Sequence, residues 1–278
     1  MAGAKKWNMI VDVALCHDCN NCFLSCKDEY VGNDFKGYSA AQPWFGQRWM
    51  NIERKERGQY PMVQVAYLPL PCQHCDNAPC LTKDGAVYKG KNGLVLIDAK
   101  KAHGRKEILD SCPYGVIYWN DEQGIPQKCT GCAHLIDDGW TETRCTQVCP
   151  TGALKLVLAE DELMAAQAKA DGLAAYLDDL GTAPRVWYKN LHRWTKAFLG
   201  GTVAYKDTDD CAEGAVVLLW SGGAKVGEAE TNNYGDFIID KLEPGTYEVS
   251  VNAGGYKATS TVVELKESLN VGVLFLEK

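Results

Sequence analysis

The chain has 278 residues, enough for two domains, and its composition, 46% hydrophobic and 23% charged, is that of an ordinary globular protein. A net charge of −7 with dispersed lysines and arginines argues against a nucleic-acid partner, because phosphate binding requires clustered cations. No apolar run approaches the roughly 18 residues of a transmembrane segment, and the start has no apolar signal core. We therefore expect a cytoplasmic protein, with export on a partner's signal as the alternative.

The first predicted element is a strand at residues 7–13, which leads directly into a group of four cysteines. These are Cys16, Cys19, Cys22 and Cys26. Their spacing, C-x2-C-x2-C-x3-C, is that of the iron–sulfur binding run of bacterial ferredoxins. An insert rich in aromatic residues follows at 33–57, and we expect it to fill a core, cover a cluster or contact a partner. Its aromatic residues are Phe35, Tyr38, Trp44, Phe45 and Trp49.

Three further cysteine groups alternate with strands that we predict at 60–71, 93–99, 115–120 and 152–159. The groups are Cys72, Cys75 and Cys80; Cys112 alone; and Cys129, Cys132, Cys145 and Cys149. Proline follows Cys112 and Cys149, as in the ferredoxin run, whereas lysine follows Cys26. The repeated order of strand, cysteine loop, short helix and strand predicts a duplicated ferredoxin-like domain over residues 1–159.

The rest of the chain has a different character. Residues 160–199 are predicted to form a helical segment and linker, with one helix over Asp161–Gly181 that Gly181 caps. The residues at helical spacing are Leu163, Ala166, Ala170, Leu173 and Leu177. From residue 200 to 278, short strands alternate with glycine turns, which is typical of a β-sandwich. The predicted fold class is therefore α+β, a duplicated ferredoxin-like domain followed by an all-β sandwich.

The spacing also predicts which cysteines act together. Three thiolates in a tight loop cap three corners of a cubane, and in two-cluster ferredoxins the last cysteine of each run ligates the other cluster. This rule pairs the first group with the fourth and the second with the third, and it predicts three [4Fe–4S] clusters. Set 1 is Cys16, Cys19, Cys22 and Cys149; set 2 is Cys129, Cys132, Cys145 and Cys26; set 3 is Cys72, Cys75, Cys80 and Cys112.

A fourth set would complete the pattern, but none of its four positions is a cysteine. These positions hold Asp84, Ala102, Arg105 and Ile108. Random loss would leave incomplete sets, whereas here one set is absent and the other twelve positions are intact. We therefore predict that a whole cluster has been deleted. Asp84 is expected to lie on the surface or in a salt bridge, with Arg105 as a candidate partner.

Four ferredoxin-like groups in this order, together with the segments Trp49–Cys80 and Pro184–Leu191, resemble the iron–sulfur electron-transfer subunits of molybdopterin oxidoreductases of the dimethyl sulfoxide reductase family. The resemblance covers roughly residues 5–195, and the chain departs from it because the family usually carries four clusters. It implies a large catalytic subunit that holds molybdenum and a pair of pterin guanine dinucleotides. The substrate would bind on that partner, and this chain would have no active site.

The last domain carries a second resemblance. Residues 231–256 are similar to carboxypeptidase-regulatory-like and Cna-B-type domains, which are small prealbumin-like sandwiches. We expect this domain to dock or stabilise a complex, with carbohydrate or surface binding as the weaker alternative. Two other functions are open for the whole chain. One is an electron wire for another molybdenum enzyme acting on sulfur or nitrogen compounds, and the other is a mainly structural iron–sulfur scaffold.

Other uses of the cysteines are also open. Zinc would accept the C-x2-C pairs, but it requires neither a four-cysteine run nor the Cys-Pro endings. Disulfides are rare in intracellular chains, and one set could hold a [3Fe–4S] cluster. Cys211 lies outside the groups and is expected to be a small buried hydrophobe or a free thiol.

Two kinds of polar residue beside the cysteines have predicted roles. The histidines are expected to be loop residues or hydrogen-bond donors to cluster sulfur rather than ligands; they are His17, His74, His103 and His134. The cations would tend to raise cluster potentials; they are Lys27, Lys128 and Arg144.

Overall fold

The computed structural model describes residues 4–278 and divides the chain into two compact units. The first unit contains the residues up to Glu53 and Tyr67–Leu191. The second contains Arg54–Ala66 and His192–Lys278. The second unit therefore includes a short internal segment from the part of the chain that precedes the second cysteine group.

A four-stranded sheet forms the centre of the first unit, in the order β8-β1-β10-β9. The strands are β1 (Lys6–Asp12), β8 (Leu154–Ala159), β9 (Ala174–Ala175) and β10 (Val186–Lys189). Strand β1 pairs antiparallel with β8 and parallel with β10, so that Met9 lies beside both Leu156 and Val186. Its residues 7–11 are all buried, as expected for an inner strand. Residues 186–189, which the sequence suggested as part of a linker, are therefore an inner strand.

Short helices and hairpins flank the cysteine groups, and residues 54–66 of one hairpin belong to the second unit. The helices are α1 (Asn21–Tyr30), α2 (Glu107–Asp110), α3 (Ala133–Asp137) and α4 (Arg144–Gln147). The hairpins are β2 (Met50–Gln59) with β3 (Met62–Pro71), β4 (Val87–Lys89) with β5 (Val95–Ile97), and β6 (Tyr118–Asn120) with β7 (Ile125–Gln127). All five strands predicted up to residue 159 are confirmed, although β2 begins inside the predicted aromatic insert.

The helix predicted over Asp161–Gly181 is wrong in its extent. Helix α5 (Asp161–Asp171) ends because Gly172 adopts a left-handed conformation with φ +63°. A short 3-10 helix at Asp178–Leu180 follows separately and ends at Gly181. The predicted apolar face is also wrong in part, because Leu163 is 62% exposed and the buried residues of α5 are Met164 and Ala168.

The C-terminal residues of the second unit form two sheets, which confirms the predicted sandwich. Helix α6 (His192–Thr195) precedes them. The strand orders are β14-β11-β17 and β13-β12-β15-β16. The strands are β11 (Ala197–Tyr205), β12 (Val216–Ser221), β13 (Ala224–Glu230), β14 (Asp236–Leu242), β15 (Gly245–Asn252), β16 (Thr259–Leu265) and β17 (Leu269–Leu276). Alternate side chains of these strands form one core, including Val203, Val217, Leu219, Val249 and Val251. Cys211 is exposed, so it is a free thiol and the expectation that it is buried is wrong.

A tight turn before β14 leads to a stability prediction. Gly235 has φ +75°, and a Cβ there would lie 2.3 Å from the carbonyl oxygen of buried Val203. We expect Gly235→Ala to lower the free energy of unfolding by more than the about 1–2 kcal/mol that left-handed backbone costs a non-glycine residue. Gly222→Ala is the matched control, because Gly222 also has positive φ but no atom lies within 4 Å of its Cβ position. Thermal unfolding of both variants measures the difference, and equal losses would contradict the steric argument.

Candidate metal centres

Set 3 is formed by two separate loops of the first unit. Cys72, Cys75 and Cys80 follow β3, and Cys112 follows α2. All four line one cavity together with Lys128. Burial and the neighbouring thiols raise the pKa of Cys75 and of Cys80 to about 11. A bound cation would reverse this effect, because metal ligation requires thiolates and stabilises them.

Set 2 joins the first cysteine group to the fourth. Cys22 and Cys26 are four residues apart on the buried side of α1, but Cys26 is directed at the fourth group. Burial, followed by the nearby thiols of set 2, raises the pKa of Cys26 well above its usual value. The backbone N–H groups of Gly131 and Arg144 donate to Cys129 Sγ (3.3 Å) and Cys132 Sγ (3.5 Å). Donors to sulfur of this kind are found around iron–sulfur clusters, where they tune the potential.

Set 1 lies nearest the surface of the first unit. Cys19 is exposed, whereas Cys16 and Cys149 are half-buried and Cys22 is buried. Burial raises the pKa of Cys22 to about 12, and the thiols of Cys16, Cys19 and Cys149 add to this effect. Burial alone would also raise the pKa of Cys149, but hydrogen bonds from the Thr151 hydroxyl and from nearby backbone N–H groups lower it instead. The last cysteine of the fourth group thus lies beside the first group.

The structure therefore brings together the three sets that the spacing predicts, with Cys26 and Cys149 exchanged between groups. Among residues 4–278, no three or more histidine, cysteine, aspartate or glutamate side chains form a site for a single metal ion. The four thiols of set 3 instead line one cavity, and backbone N–H groups are directed at cysteine sulfurs of sets 2 and 3. This donor set fits a cubane cluster that presents four separate corners.

The place of the missing fourth set is filled by ordinary protein contacts. Ala102 and Ile108 are buried in the hydrophobic interior. Arg105 Nη1 lies 2.8 Å from Asp84 Oδ2 at the surface, so the predicted partnership is confirmed. Hydrogen bonds from Thr82 and from the Ala86 N–H, together with Arg105, lower the pKa of Asp84 to about 2. Two positions that would hold ligands have thus become core, and two have become an ion pair.

This arrangement predicts that the ion pair has no role in metal binding. We expect Arg105→Ala to leave the iron content unchanged, because the pair is exposed and belongs to none of the three cysteine sets. The depressed pKa keeps Asp84 ionised at every pH above about 2, so the contribution of the pair should be constant between pH 5 and 9. Iron analysis and thermal unfolding at three pH values test this, with Asp84→Asn as the matched control. Loss of about four irons in either variant would show that these positions still serve a cluster.

The histidines beside the cysteines occupy different environments. His17 and His103 are exposed. His134 Nε2 lies 2.9 Å from Glu29 Oε1, and its ring stacks on Phe35. His74 is fully buried, and its Nδ1 accepts a hydrogen bond from the Val95 N–H at 3.0 Å. The proton of the neutral ring is therefore on Nε2, which has no partner in the part of the chain that the structure describes.

The aromatic insert divides into a buried and an exposed part. Trp49 is buried, Phe35 stacks on His134, and Tyr38 donates to Asp137 Oδ2 at 2.9 Å. These residues form internal contacts, as the core interpretation predicts. Trp44 and Phe45 are 74% and 87% exposed. Partner contact is retained as a prediction for these two side chains.

Sequence reasoning missed Arg185, which holds the second cysteine group against the central sheet. Its guanidinium is buried, and Nη2 lies 2.5 Å from Asp76 Oδ2 and 2.8 Å from Asp161 Oδ1. Hydrogen bonds from Lys6 and Arg185 lower the pKa of Asp161. Asp76 directly follows Cys75, so the ion pairs fix the start of the set 3 loop. The arginine stands in the segment Pro184–Leu191 that carries the family resemblance, but nothing in its spacing indicates these partners.

Comparisons with known proteins agree with this architecture. Residues 63–159 match the family described as 4Fe-4S dicluster domain, and residues 199–275 match the carboxypeptidase regulatory-like domain. The chain is 46% identical over 276 residues to the pyrogallol hydroxytransferase small subunit of Pelobacter acidigallici, which covers 98% of this chain and 100% of that protein. It is 33% identical to the thiosulfate reductase electron transfer subunit of Salmonella typhi, over 54% of this chain and 74% of that protein.

A third relative, the arsenate respiratory reductase iron-sulfur subunit of a Shewanella species, is 26% identical over 66% of this chain and 95% of that protein. No helix within residues 4–278 is long and apolar enough to span a membrane. The predicted resemblance to iron–sulfur subunits of the dimethyl sulfoxide reductase family is confirmed. A chain with three predicted clusters and a C-terminal β domain resembles, more specifically, the small subunit of pyrogallol–phloroglucinol transhydroxylase, and the similarity to the Pelobacter acidigallici protein confirms this resemblance. The chain belongs to the family of pyrogallol hydroxytransferase small subunits.

Proposed function

We propose that this chain is the iron–sulfur subunit of a molybdenum enzyme that transfers hydroxyl groups between polyhydroxylated benzenes, and that it holds three [4Fe–4S] clusters. The observation that carries the proposal is the presence of three four-cysteine sets in a chain that matches a hydroxytransferase small subunit from end to end. The ligands would be the twelve cysteines of sets 1, 2 and 3. Bound clusters of this type take up and release single electrons, with potentials between roughly −700 and +450 mV.

The residues of this chain hold and insulate these groups. Each set draws three thiolates from one loop or group and the fourth from another, so that cluster binding ties distant parts of the first unit together. Apolar side chains, including Ala78, Val95 and Ile117, line the set 3 cavity and keep water from the sulfurs. The backbone N–H groups of His74, Gly131 and Arg144 donate to cysteine sulfur and stabilise its negative charge.

The proposed partner is a large catalytic subunit that contains molybdenum and a pair of pterin guanine dinucleotides, in a heterodimer located in the cytoplasm. The aromatic substrate would bind there, and this chain would be a non-catalytic subunit. The relatives' names, small subunit and electron transfer subunit, support this division of labour. We further propose that residues 1–159 form a duplicated ferredoxin-like domain, that residues 160–199 pack on it, and that the sandwich at 200–278 docks or stabilises the complex.

Transhydroxylation is redox-neutral overall, which constrains the role of the clusters. We propose that this chain sets or resets the oxidation state of the partner's metal rather than conducting a current in every turnover. Service to a different molybdenum enzyme is the second candidate, because other relatives belong to thiosulfate and arsenate reductases. Those relatives match only 54% and 66% of this chain, which favours the hydroxytransferase.

Anaerobic co-purification with the co-expressed large chain tests the proposal. The complex is expected to contain molybdenum with about twelve irons per small subunit, and to convert pyrogallol to phloroglucinol. Reduction of thiosulfate or arsenate by a reduced dye, without conversion of pyrogallol, would favour the second candidate. Steady conversion by the large chain alone would contradict the role of this subunit in setting the metal. Clusters that stay in one oxidation state throughout activation and turnover would indicate a structural scaffold.

A further inference from the structure

Lys128 is a buried lysine whose side chain donates to backbone carbonyl groups. It follows β7, directly precedes Cys129, and is 3% exposed. Its Nζ donates to the carbonyl oxygens of Val95 and Cys129, the latter at 3.1 Å. No Asp or Glu oxygen within the described residues lies within 4.0 Å of Nζ. Burial of an ammonium group without a counter-charge is costly, so the position requires a compensating negative charge.

The cysteines of two sets lie near Lys128 and would supply that negative charge as cluster ligands. Its side chain lines the set 3 cavity together with Cys72, Cys75, Cys80 and Cys112. Its own neighbour in sequence, Cys129, belongs to set 2. Burial raises the pKa of Cys80, Cys112 and Cys129, and the Lys128 ammonium acts against this rise at all three thiols. In set 1, the pKa of Cys16 and of Cys22 is raised by burial and by the thiols of the same set, and hydrogen bonds from Thr151 and nearby backbone lower that of Cys149.

The other cations beside cysteines are placed differently. Arg144 is half-buried, and its Nε lies 3.0 Å from Glu29 Oε2, which neutralises much of its charge. Lys27 is half-buried and donates to the Pro43 carbonyl oxygen at 2.7 Å, where solvent screens it. Lys128 therefore combines burial, a location beside two ligand sets and, among residues 4–278, the absence of a carboxylate within 4.0 Å. The sequence shows all three cations as equivalent neighbours of a cysteine, and the structure separates them.

We propose that Lys128 is an electrostatic tuning residue shared by two clusters, and that it raises the reduction potentials at sets 2 and 3 relative to set 1. This inference rests on the proposed function, because it requires [4Fe–4S] clusters at these sets. Reduction adds one electron and one negative charge to a cluster. A cation a few ångströms away in a medium of low dielectric constant stabilises the reduced form. The electron supplied to this chain then resides preferentially on the side of sets 2 and 3.

The test compares Lys128→Met with wild type in the full chain bound to its partner. Both are titrated with dithionite and redox mediators and followed by low-temperature electron paramagnetic resonance. Lys128→Met removes the charge at nearly constant volume. At a fixed potential, the ratio of reduced to oxidised cluster should fall at least about tenfold at sets 2 and 3, which corresponds to about 59 mV for one electron. The midpoint potential of set 1 should stay unchanged in Lys128→Met. The separate variant Lys128→Arg, which keeps the positive charge, should show the wild-type ratios at all three sets.

Further variants assign the signals to the sets and serve as controls. Cys112→Ala and Cys19→Ala identify the signals of set 3 and set 1 by their loss. Lys27→Met is the matched control, because it removes a screened lysine beside Cys26 and should shift set 2 much less than Lys128→Met does. Iron analysis shows whether each variant retains its clusters, and Lys128→Gln replaces Lys128→Met if that variant loses iron. Unchanged midpoints, or equal shifts at all three sets, would overturn the inference. Wild-type protein without iron would overturn the proposed function instead.

Discussion

Replacing Cys112 with alanine is expected to lower the iron content of the anaerobically purified chain from about twelve to about eight atoms per polypeptide. Cys112 is the only member of set 3 that lies outside the loop of Cys72, Cys75 and Cys80. Without it, a cubane at this set would lack a protein ligand at one corner. Sets 1 and 2 share no cysteine with set 3, so their eight irons should remain.

The expected loss follows from how Cys112 is held. Its thiol is largely enclosed, and burial raises its pKa, while backbone N–H groups of Tyr114 and Val116 act in the opposite direction. The sulfur is therefore prepared for a positively charged partner, which an alanine cannot bind. The measurement is iron and sulfide per chain, together with the absorbance near 400 nm before and after reduction.

Cys211→Ala is the matched control, because Cys211 is exposed on the second unit and belongs to no set. It should retain about twelve irons. Other results would distinguish the alternatives for set 3. A decrease of about three irons in Cys112→Ala would indicate a [3Fe–4S] cluster there. Stoichiometric zinc in wild type, with less iron, would show that the C-x2-C pairs hold zinc.

The sequence predicts three cysteine sets because the spacing of the cysteines reflects a local physical constraint. A tight loop can present three thiolates to one cubane but has no room for the fourth, so the partner group follows from a rule about loops. The same reasoning identified Asp84 and Arg105 as a substituted pair, and the two side chains do form a salt bridge. In both cases the prediction depends on side-chain chemistry, thiols that bind metal and opposite charges that attract, and not on how the surrounding residues pack.

Features that depend on distant contacts were not predictable in this way. Strand β10 pairs with β1 across more than 170 residues, and nothing in the local alternation of Val186–Lys189 specifies that position. The end of α5 at Gly172 was missed because leucine and alanine continue at helical spacing beyond a glycine that adopts the left-handed conformation. Arg185 was missed because its partners, Asp76 and Asp161, belong to separate parts of the sequence.

The largest stability effect is expected for Arg57, in the hairpin of β2 and β3. Residues 54–66 of this hairpin belong to the second unit, although the sequence placed them in or beside the aromatic insert. The Arg57 side chain is 1% exposed, and its Nη2 lies 2.6 Å from Asp240 Oδ1 and 3.2 Å from the Lys196 carbonyl oxygen. The guanidinium carbon also lies 5.2 Å from the centre of the Phe198 ring. One side chain thus joins the hairpin to β11 and β14.

We expect Arg57→Ala to lower the free energy of unfolding of the second unit by about 3 kcal/mol. This is the lower end of the range for breaking a buried ion pair, because Asp240 keeps 27% of its side chain exposed and can be rehydrated. Arg57→Lys should lose less stability than Arg57→Ala, because lysine keeps the positive charge. It should still lose some, because lysine cannot form the forked hydrogen bonds of a guanidinium group. Lys55→Ala is the control, because Lys55 is exposed and donates to the Trp194 carbonyl oxygen alone among the described contacts.

Hydrogen exchange of the full chain, read at the amides of β11 and β14, measures this effect without requiring the unit to fold alone. Faster exchange in Arg57→Ala than in Lys55→Ala, at both strands, is the expected result. Gly58 supports the same contact, since a Cβ there would lie 2.5 Å from Phe198 Cζ, so the hairpin backbone itself packs against β11. Exchange rates that are equal in the two variants would mean that the hairpin adds no stability to the sandwich. Water would then hydrate the Asp240 carboxylate fully once Arg57 is removed, at no net cost in stability.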